Sequence, residues 1–294
     1  MDQASVLREM KKRESVGAAL PAFDMQKQSL SKQRVRVVAV TSGKGGVGKT
    51  NISVNLAYFL SKLNKKVLML DADVGLANID VILGLTPQYN LYHVLRGEKS
   101  IQEIMVEGPG GMLILPAASG IQEMTNLSQG NRLTLIDEIK TLQDRVDFML
   151  IDTGAGIASH VMYFNMVAQE IIVITTPEPT AITDAYALIK VLHQRHAKEH
   201  FRLLVNMVKT ESEAKEVFSR LNQATNHFLN ISVEYLGHVI YDKRVSESIR
   251  KQQPFVTLFP DVPAAKCLRN LAEKIAKERF TEVTGTPGFF WDAI

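Results

Sequence analysis

From residue 35 onward, short aliphatic and β-branched runs alternate with longer stretches of helical period. The runs "VRVVAV" from 35, "KVLML" from 66, "MLIL" from 112, "DFMLID" from 147, "EIIVITT" from 170, "FRLLVNMV" from 201 and "SVEYLGHVI" from 232 predict strands. Several are apolar at nearly every position, as parallel strands covered on both faces are. Helical period over 50–63, 131–143, 181–197 and 211–228 fills the gaps, and "AAKCLRNLAEKIAKERF" predicts a last helix packed on the sheet. Repeated βα units imply an α/β fold with a mostly parallel twisted sheet flanked by helices and right-handed crossovers. Ligands then bind beyond the carboxyl ends of the strands.

Two segments fall outside this alternation. Residues 1–12 have the pattern of a short amphipathic helix, with Asp2 as its cap and Ala4, Leu7 and Met10 on one face. Residues 13–34 are polar and mixed, contain Gly17 and Pro21, and read as a flexible linker to a main domain over 35–280. Residues 281–294 break the last helix with Gly285 and Pro287 and close on Phe289, Phe290, Trp291 and Ile294. Such aromatic residues favour a membrane interface, and a groove of the protein's own dimer would serve them as well.

Composition narrows the classes only a little. With 294 residues, 46% of them apolar, the chain can bury a substantial core. A formal net charge of +3 provides no basic stripe of the kind nucleic-acid binders show, and makes nucleic acid an unexpected partner. The single Cys267 cannot form an internal disulfide, the first residues are charged where a signal peptide is apolar, and no apolar run reaches membrane-spanning length. These features point to the cytoplasm.

The chemistry concentrates at strand ends. "GKGGVGKT" follows the first strand and opens a helix, the context of a phosphate-binding loop. Gly45, Gly46 and Gly48 let backbone N–H groups turn inward, Lys49 adds a full positive charge, and Thr50 can ligate magnesium. The second strand ends in "LDADVG", where Asp71 and Asp73 can divide metal holding from orienting the attacking water. The fourth ends in "LIDTGAGI", bringing Asp152 beside the metal and Gly154 and Gly156 into a loop able to report on the γ-phosphate. Lys44 is then one lysine more than such a loop needs.

"KGGVGKT", "DADVGLANIDVILG" and "LIDTGAGI" together resemble the deviant Walker A ATPases typified by MinD and ParA, over about residues 35–279. The resemblance implies a homodimer formed with ATP and Mg²⁺, with Lys44 crossing to the partner's ATP. It also implies a phosphate cradle of Gly45, Gly46, Val47, Gly48, Lys49, Thr50 and Asn51. Thr50, Asp71 and Asp152 would hold the metal, Asp73 would serve hydrolysis, and Asn206, Ile240, Tyr241 and Asp242 would surround the base. Ile240 stands where MinD has proline, Ala77 where it has a basic residue, and Gly154 where it has proline; these departures argue against MinD itself.

"DQASVLR" resembles the amino-terminal segment of the flagellum-number regulators FlhG and FleN, MinD-like ATPases whose loops also read "GKTN" and "GLAN". This implies that Asp2, Gln3, Ala4, Leu7 and Arg8 engage and activate the GTPase FlhF, and that the ATP form associates peripherally with the inner face of the cell membrane. A flagellar transcriptional regulator or a basal-body component would be a further partner. The alternative is a ParA-like DNA-partition ATPase, disfavoured by the low net charge. A scaffold that binds ATP without turnover is disfavoured by the three aspartates, and an iron-cluster ATPase by the single cysteine. His193, His196 and His200 in "HQRHAKEH" lack companions for a metal site and read as structural.

Overall fold

The computed structural model describes residues 35–73, 78–116, 137–138, 141–142 and 145–278. The predicted amino-terminal helix and linker, the tail from 281, and most of the helix predicted over 131–143 lie outside these residues, as does Ala77.

Strand β1 (Arg36–Ser42) is followed by the phosphate loop and helix α1 (Lys49–Lys62), then by β2 (Val67–Ala72) and α2 (Asn78–Leu83). Short helices α3 (Leu91–Leu95) and α4 (Ile101–Ile104) precede β3 (Val106–Glu107), a 3₁₀ turn over Pro109–Gly111 and β4 (Leu113–Leu115). After them come β5 (Phe148–Ala155), α5 (Ser159–Val167), β6 (Glu170–Thr175), α6 (Pro179–His196), β7 (Arg202–Val208) and α7 (Glu211–Leu229). The order closes with β8 (Glu234–Ile240), α8 (Arg244–Arg250), α9 (Phe255–Leu258) and α10 (Pro263–Lys277).

The strands form one sheet in the order β3-β4-β2-β5-β1-β6-β7-β8. Every pairing is parallel except that of β3 with β4. The seven predicted strands are all present, and β3 is an addition: two residues on an antiparallel edge, too short and too exposed to leave a hydrophobic pattern. β1 and β2 are buried at every position because helices cover both faces. Alternate residues divide between those faces. Val38 and Val40 join Leu60 of α1 and Leu268 of α10 on one side, while Val37 and Ala39 join Val94 of α3 and Phe164 of α5 on the other. Beyond them α6 and α7 cover β6 and β7 through Leu188, Leu192, Val217 and Leu221.

The last helix follows its pattern: Ala264, Leu268, Leu271 and Ile275 are buried and Cys267 is half-buried beside them. At the amino-terminal ends of the strands, Arg36 Nε and Nη2 donate to both oxygens of Glu170 at 2.8 and 2.9 Å. Arg202 joins the same glutamate and Glu278, tying β1, β6 and β7 to the end of α10. That ion network closes the end of the sheet away from the phosphate loop. One contact fixes α6 relative to that loop. A methyl group on Gly43 would lie 2.1 Å from the backbone carbonyl of Asp184, so only glycine lets the loop and the helix approach this closely.

Candidate nucleotide site

β1 delivers the chain into a loop whose Gly46 and Gly48 have φ of 81° and 85°, the left-handed region glycine adopts without strain. The turn ends where α1 begins, so the first N–H groups of that helix face the loop's hollow and favour an anion there. Asn206, at the end of β7, braces the loop from the other side: its Nδ2 donates to Val47 O at 2.8 Å. A side chain at Gly48 would come within 2.5 Å of that same nitrogen. Loop and brace border a cavity of about 440 Å³, a volume suited to a nucleotide.

Lys49 is buried, and its Nζ lies 3.2 Å from Asp152 Oδ1, which also accepts from Ser53 Oγ at 2.9 Å. Parallel pairing sets Asp71 directly beside Asp152 in register. Asp71 Oδ1 and Oδ2 accept from the N–H groups of Asp73 and Ile79 at 3.2 and 3.1 Å. Burial, and after it the charge of Asp152, pushes the Asp71 carboxyl up to about 7. Two buried carboxylates thus face one lysine, and Asp152 Oδ2 has no hydrogen-bond partner among the described residues. Such an orphaned oxygen beside an under-neutralised carboxylate fits a divalent cation, and Thr50 on the cavity wall offers the hydroxyl that completes the set. Magnesium bound there would neutralise phosphate charge.

Asn51 carries a second orphan. Its Oδ1 accepts from Asn55 Nδ2 at 3.0 Å, while its own Nδ2 is buried without a partner among the described residues and suits a phosphate oxygen. Asp73 lies just past β2, where Asn78 Nδ2 donates to its Oδ2 at 3.1 Å. Gly154 is buried beside it, and Gly156, with φ of 87°, donates its N–H to Ser42 O at 2.9 Å, joining that loop to the end of β1.

On the base side, Ile240 and Tyr241 line the cavity with Val239, Val245, Ile249 and Phe255, apolar neighbours that sequence reasoning missed. The Asp242 carboxylate is engaged at both oxygens by Arg244, at 2.9 Å each, which holds it below the usual carboxylate range. Asp242 lines the cavity with its carboxylate held in this pair. Met207 lines the same wall with φ of 58°, a strained conformation for a side chain of this kind.

Lys44 differs from Lys49 in every respect. It stands half-exposed at the rim, where its Nζ donates to Glu178 Oε1 and, at 2.8 Å, to Thr180 Oγ1 at the start of α6. The hydrogen bond from Lys44 holds Glu178 below its ordinary range. Neither partner was evident in the sequence, since both are more than 130 residues distant. Ser53, 99 residues from Asp152, was missed for a similar reason, whereas the bond from Asn78 to Asp73 is local and "GLAN" already contained Asn78. In the histidine-rich stretch, His193 Nδ1 lies 3.1 Å from Lys198 O.

A P-loop at the head of a parallel sheet recurs in the comparisons with known proteins. The profile of the ParA family, described as "NUBPL iron-transfer P-loop NTPase", matches residues 33–276. The Antiactivator FleN of Pseudomonas aeruginosa is 43% identical over 249 residues, 85% of this chain and 89% of that protein. The chain belongs to the FleN/FlhG branch of the MinD/ParA P-loop ATPases. It is thus an ATPase. The flagellum site-determining protein YlxH of Helicobacter pylori is 36% identical over 79% of this FleN/FlhG-type chain and 78% of its own length. In structure, MinD of Aquifex aeolicus from a MinC:MinD complex superposes with a TM-score of 0.68 at 28% identity, covering 84% of this chain and 98% of the other. MinD of Pyrococcus horikoshii, solved with Mg-ADP, has a TM-score of 0.66 at 26% identity, over 83% and 96% of the two chains.

If Asp152 and Asp71 form the metal seat, Asp152→Ala should retain ADP affinity in EDTA and lose the gain that magnesium confers on the unaltered protein. Calorimetric titration with and without the metal checks this. A magnesium gain equal to that of the unaltered protein would contradict the assignment.

Proposed function

We propose that this ATPase is an ATP-dependent dimerisation switch that regulates flagellar number or placement. The observation that carries the reading is the division of labour between the loop's two lysines. Lys49 is buried against Asp152 within its own site, whereas Lys44 is held at the half-exposed rim by Glu178 and Thr180, within reach of solvent and of a second molecule. In this reading the loop amides, Lys49 and Asn51 bind the phosphates, and Thr50, Asp71 and Asp152 hold magnesium. Asp73 orients the hydrolytic water, Gly154 and Gly156 form the switch loop, and Asn206, Ile240, Tyr241 and Asp242 surround the base. A Mg-ADP complex of a MinD relative supports ATP and Mg²⁺ as the ligands.

The flagellar role is supported by relatives named an antiactivator and a flagellum site-determining protein. Within that role residues 1–12 form a partner-binding segment on the 13–34 linker. Asp2, Gln3, Ala4, Leu7 and Arg8 would engage FlhF, and a transcriptional regulator or basal-body component would meet the ATPase domain. No helix among the described residues is long and apolar enough to cross a membrane. Phe289, Phe290, Trp291 and Ile294 are the proposed peripheral anchor of an otherwise cytoplasmic protein. Two weak anchors per dimer would couple nucleotide to location, and deleting residues 289–294 should then abolish co-sedimentation of the ATP form with liposomes. The iron-transfer role in the family description is not carried over, because one cysteine per chain cannot frame a cluster.

Lys44→Ala should bind ADP with near-normal affinity and remain monomeric in ATP, while Lys49→Ala should bind nucleotide poorly. Sedimentation velocity in ATP and in ADP separates the two, and an ordinary ATP dimer of the Lys44 variant would overturn the switch. A synthetic peptide of residues 1–20 should raise GTP turnover by the cognate FlhF, and Gln3→Ala and Leu7→Ala peptides should not. Equal stimulation by parent and variants would overturn the activator role.

A further inference from the structure

We infer that His160 is a positioning residue for ATP hydrolysis, facing the Asp73 carboxylate across Gly154. The geometry comes from three elements that meet at one point. Asp73 follows β2, Gly154 lies near the end of β5, and His160 is the second residue of α5. A methyl group built on Gly154 would lie 3.3 Å from Asp73 Oδ1 and 3.4 Å from His160 Nε2, so the two polar atoms are less than about 7 Å apart. The glycine supplies the gap between them.

Among the described residues, no other hydrogen bond engages those two atoms. Asn78 takes the other Asp73 oxygen, Oδ2, at 3.1 Å, which fixes the plane of the carboxylate and turns Oδ1 toward Gly154. His160 is half-buried, so its ring is neither freely rotating in solvent nor part of the core. α5 is tied to the same strand ends by a buried chain: Asn165 Nδ2 donates to Thr41 Oγ1 at 3.2 Å, and Thr153 Oγ1 lies 3.0 Å from the same hydroxyl. The imidazole is thereby carried on an element anchored to the phosphate-loop strand.

Two hydrogen bonds of ordinary length span about 5.6 Å, inside the upper limit of about 7 Å on the separation of Oδ1 and Nε2, and the inference places a single water between them. In hydrolysis the water oxygen bonds to the γ-phosphorus as the bond to the β–γ bridging oxygen breaks, giving ADP and a phosphate that carries the water's hydrogens until it releases a proton to solvent. His160 neither gains nor loses atoms in that balance. It holds the orientation of the water that Asp73 addresses, and phosphoryl transfer depends chiefly on such positioning.

The inference rests on the assignment of Asp73 to hydrolysis, and the experiment separates the two. Steady-state ATP turnover and analogue affinity are measured on the full chain for His160→Ala, His160→Phe, His160→Gln and Asp73→Ala, with thermal melts alongside. His160→Ala and His160→Phe should lower kcat at least about tenfold with KM and affinity for a non-hydrolysable ATP analogue unchanged. His160→Gln, which keeps a polar amide near the Nε2 position, should recover to within about threefold of the unaltered protein. The double variant His160→Ala with Asp73→Ala should be no slower than Asp73→Ala alone, since the two act through one water. Unaltered kcat in His160→Ala, or equal loss in the Gln and Phe variants, would overturn the inference while leaving Asp73 in place. Unaltered turnover by Asp73→Ala would overturn both.

Discussion

The carboxyl ends of β2 and β5 set two aspartates side by side, and among the described residues a single lysine pairs with them. Parallel register leaves no choice in the matter: once Asp71 pairs with Asp152, burial raises the cost of both charges. Lys49 and Ser53 converge on one oxygen of Asp152, two backbone N–H groups converge on Asp71, and one oxygen remains without a partner among the described residues. The residual negative charge makes the site a receptor for a cation, and the loop amides beside it make a receptor for an anion. A magnesium–phosphate pair satisfies both at once.

Around that centre the molecule is braced unevenly. The far end of the sheet is closed by the Arg36, Glu170, Arg202 and Glu278 network, and Asn206 pins the phosphate loop from β7. The rim is held by lighter contacts. Lys44 is linked to Glu178 and Thr180 at an exposed position where a salt bridge contributes little, so exchanging these partners costs little. A buried lysine committed to its own site and a rim lysine free to change partners make chemically sensible halves of a dimerisation switch.

Much of this was legible in the sequence because strand ends and motifs coincide. The uniformly apolar runs read directly as buried parallel strands, and the loop and its three aspartates stood at their termini. What was not legible depends on contacts between distant segments. Glu178 meets Lys44 across 134 residues, and Ser53 meets Asp152 across 99, so no local pattern signals either. The short helices α2, α3, α4, α8 and α9 have four to seven residues, too few for a helical period to declare itself. His160 escaped notice because only the close packing of Gly154 reveals what it faces. Asp242 matched a base-side motif, yet Arg244, two residues on, occupies its carboxylate.

The central claim is that the two lysines of one loop serve different molecules, and subunit complementation tests it most directly. Lys44→Ala chains retain Lys49 and can bind ATP; Lys49→Ala chains lack that binding but can still offer Lys44. Neither alone should turn over ATP, and mixing them should restore turnover through the one composite site of each mixed dimer, rising with the fraction of mixed dimers. Turnover that stays absent in mixtures where sedimentation shows mixed dimers, while unaltered chains remain active under the same conditions, would show that Lys44 acts within its own subunit and contradict the account.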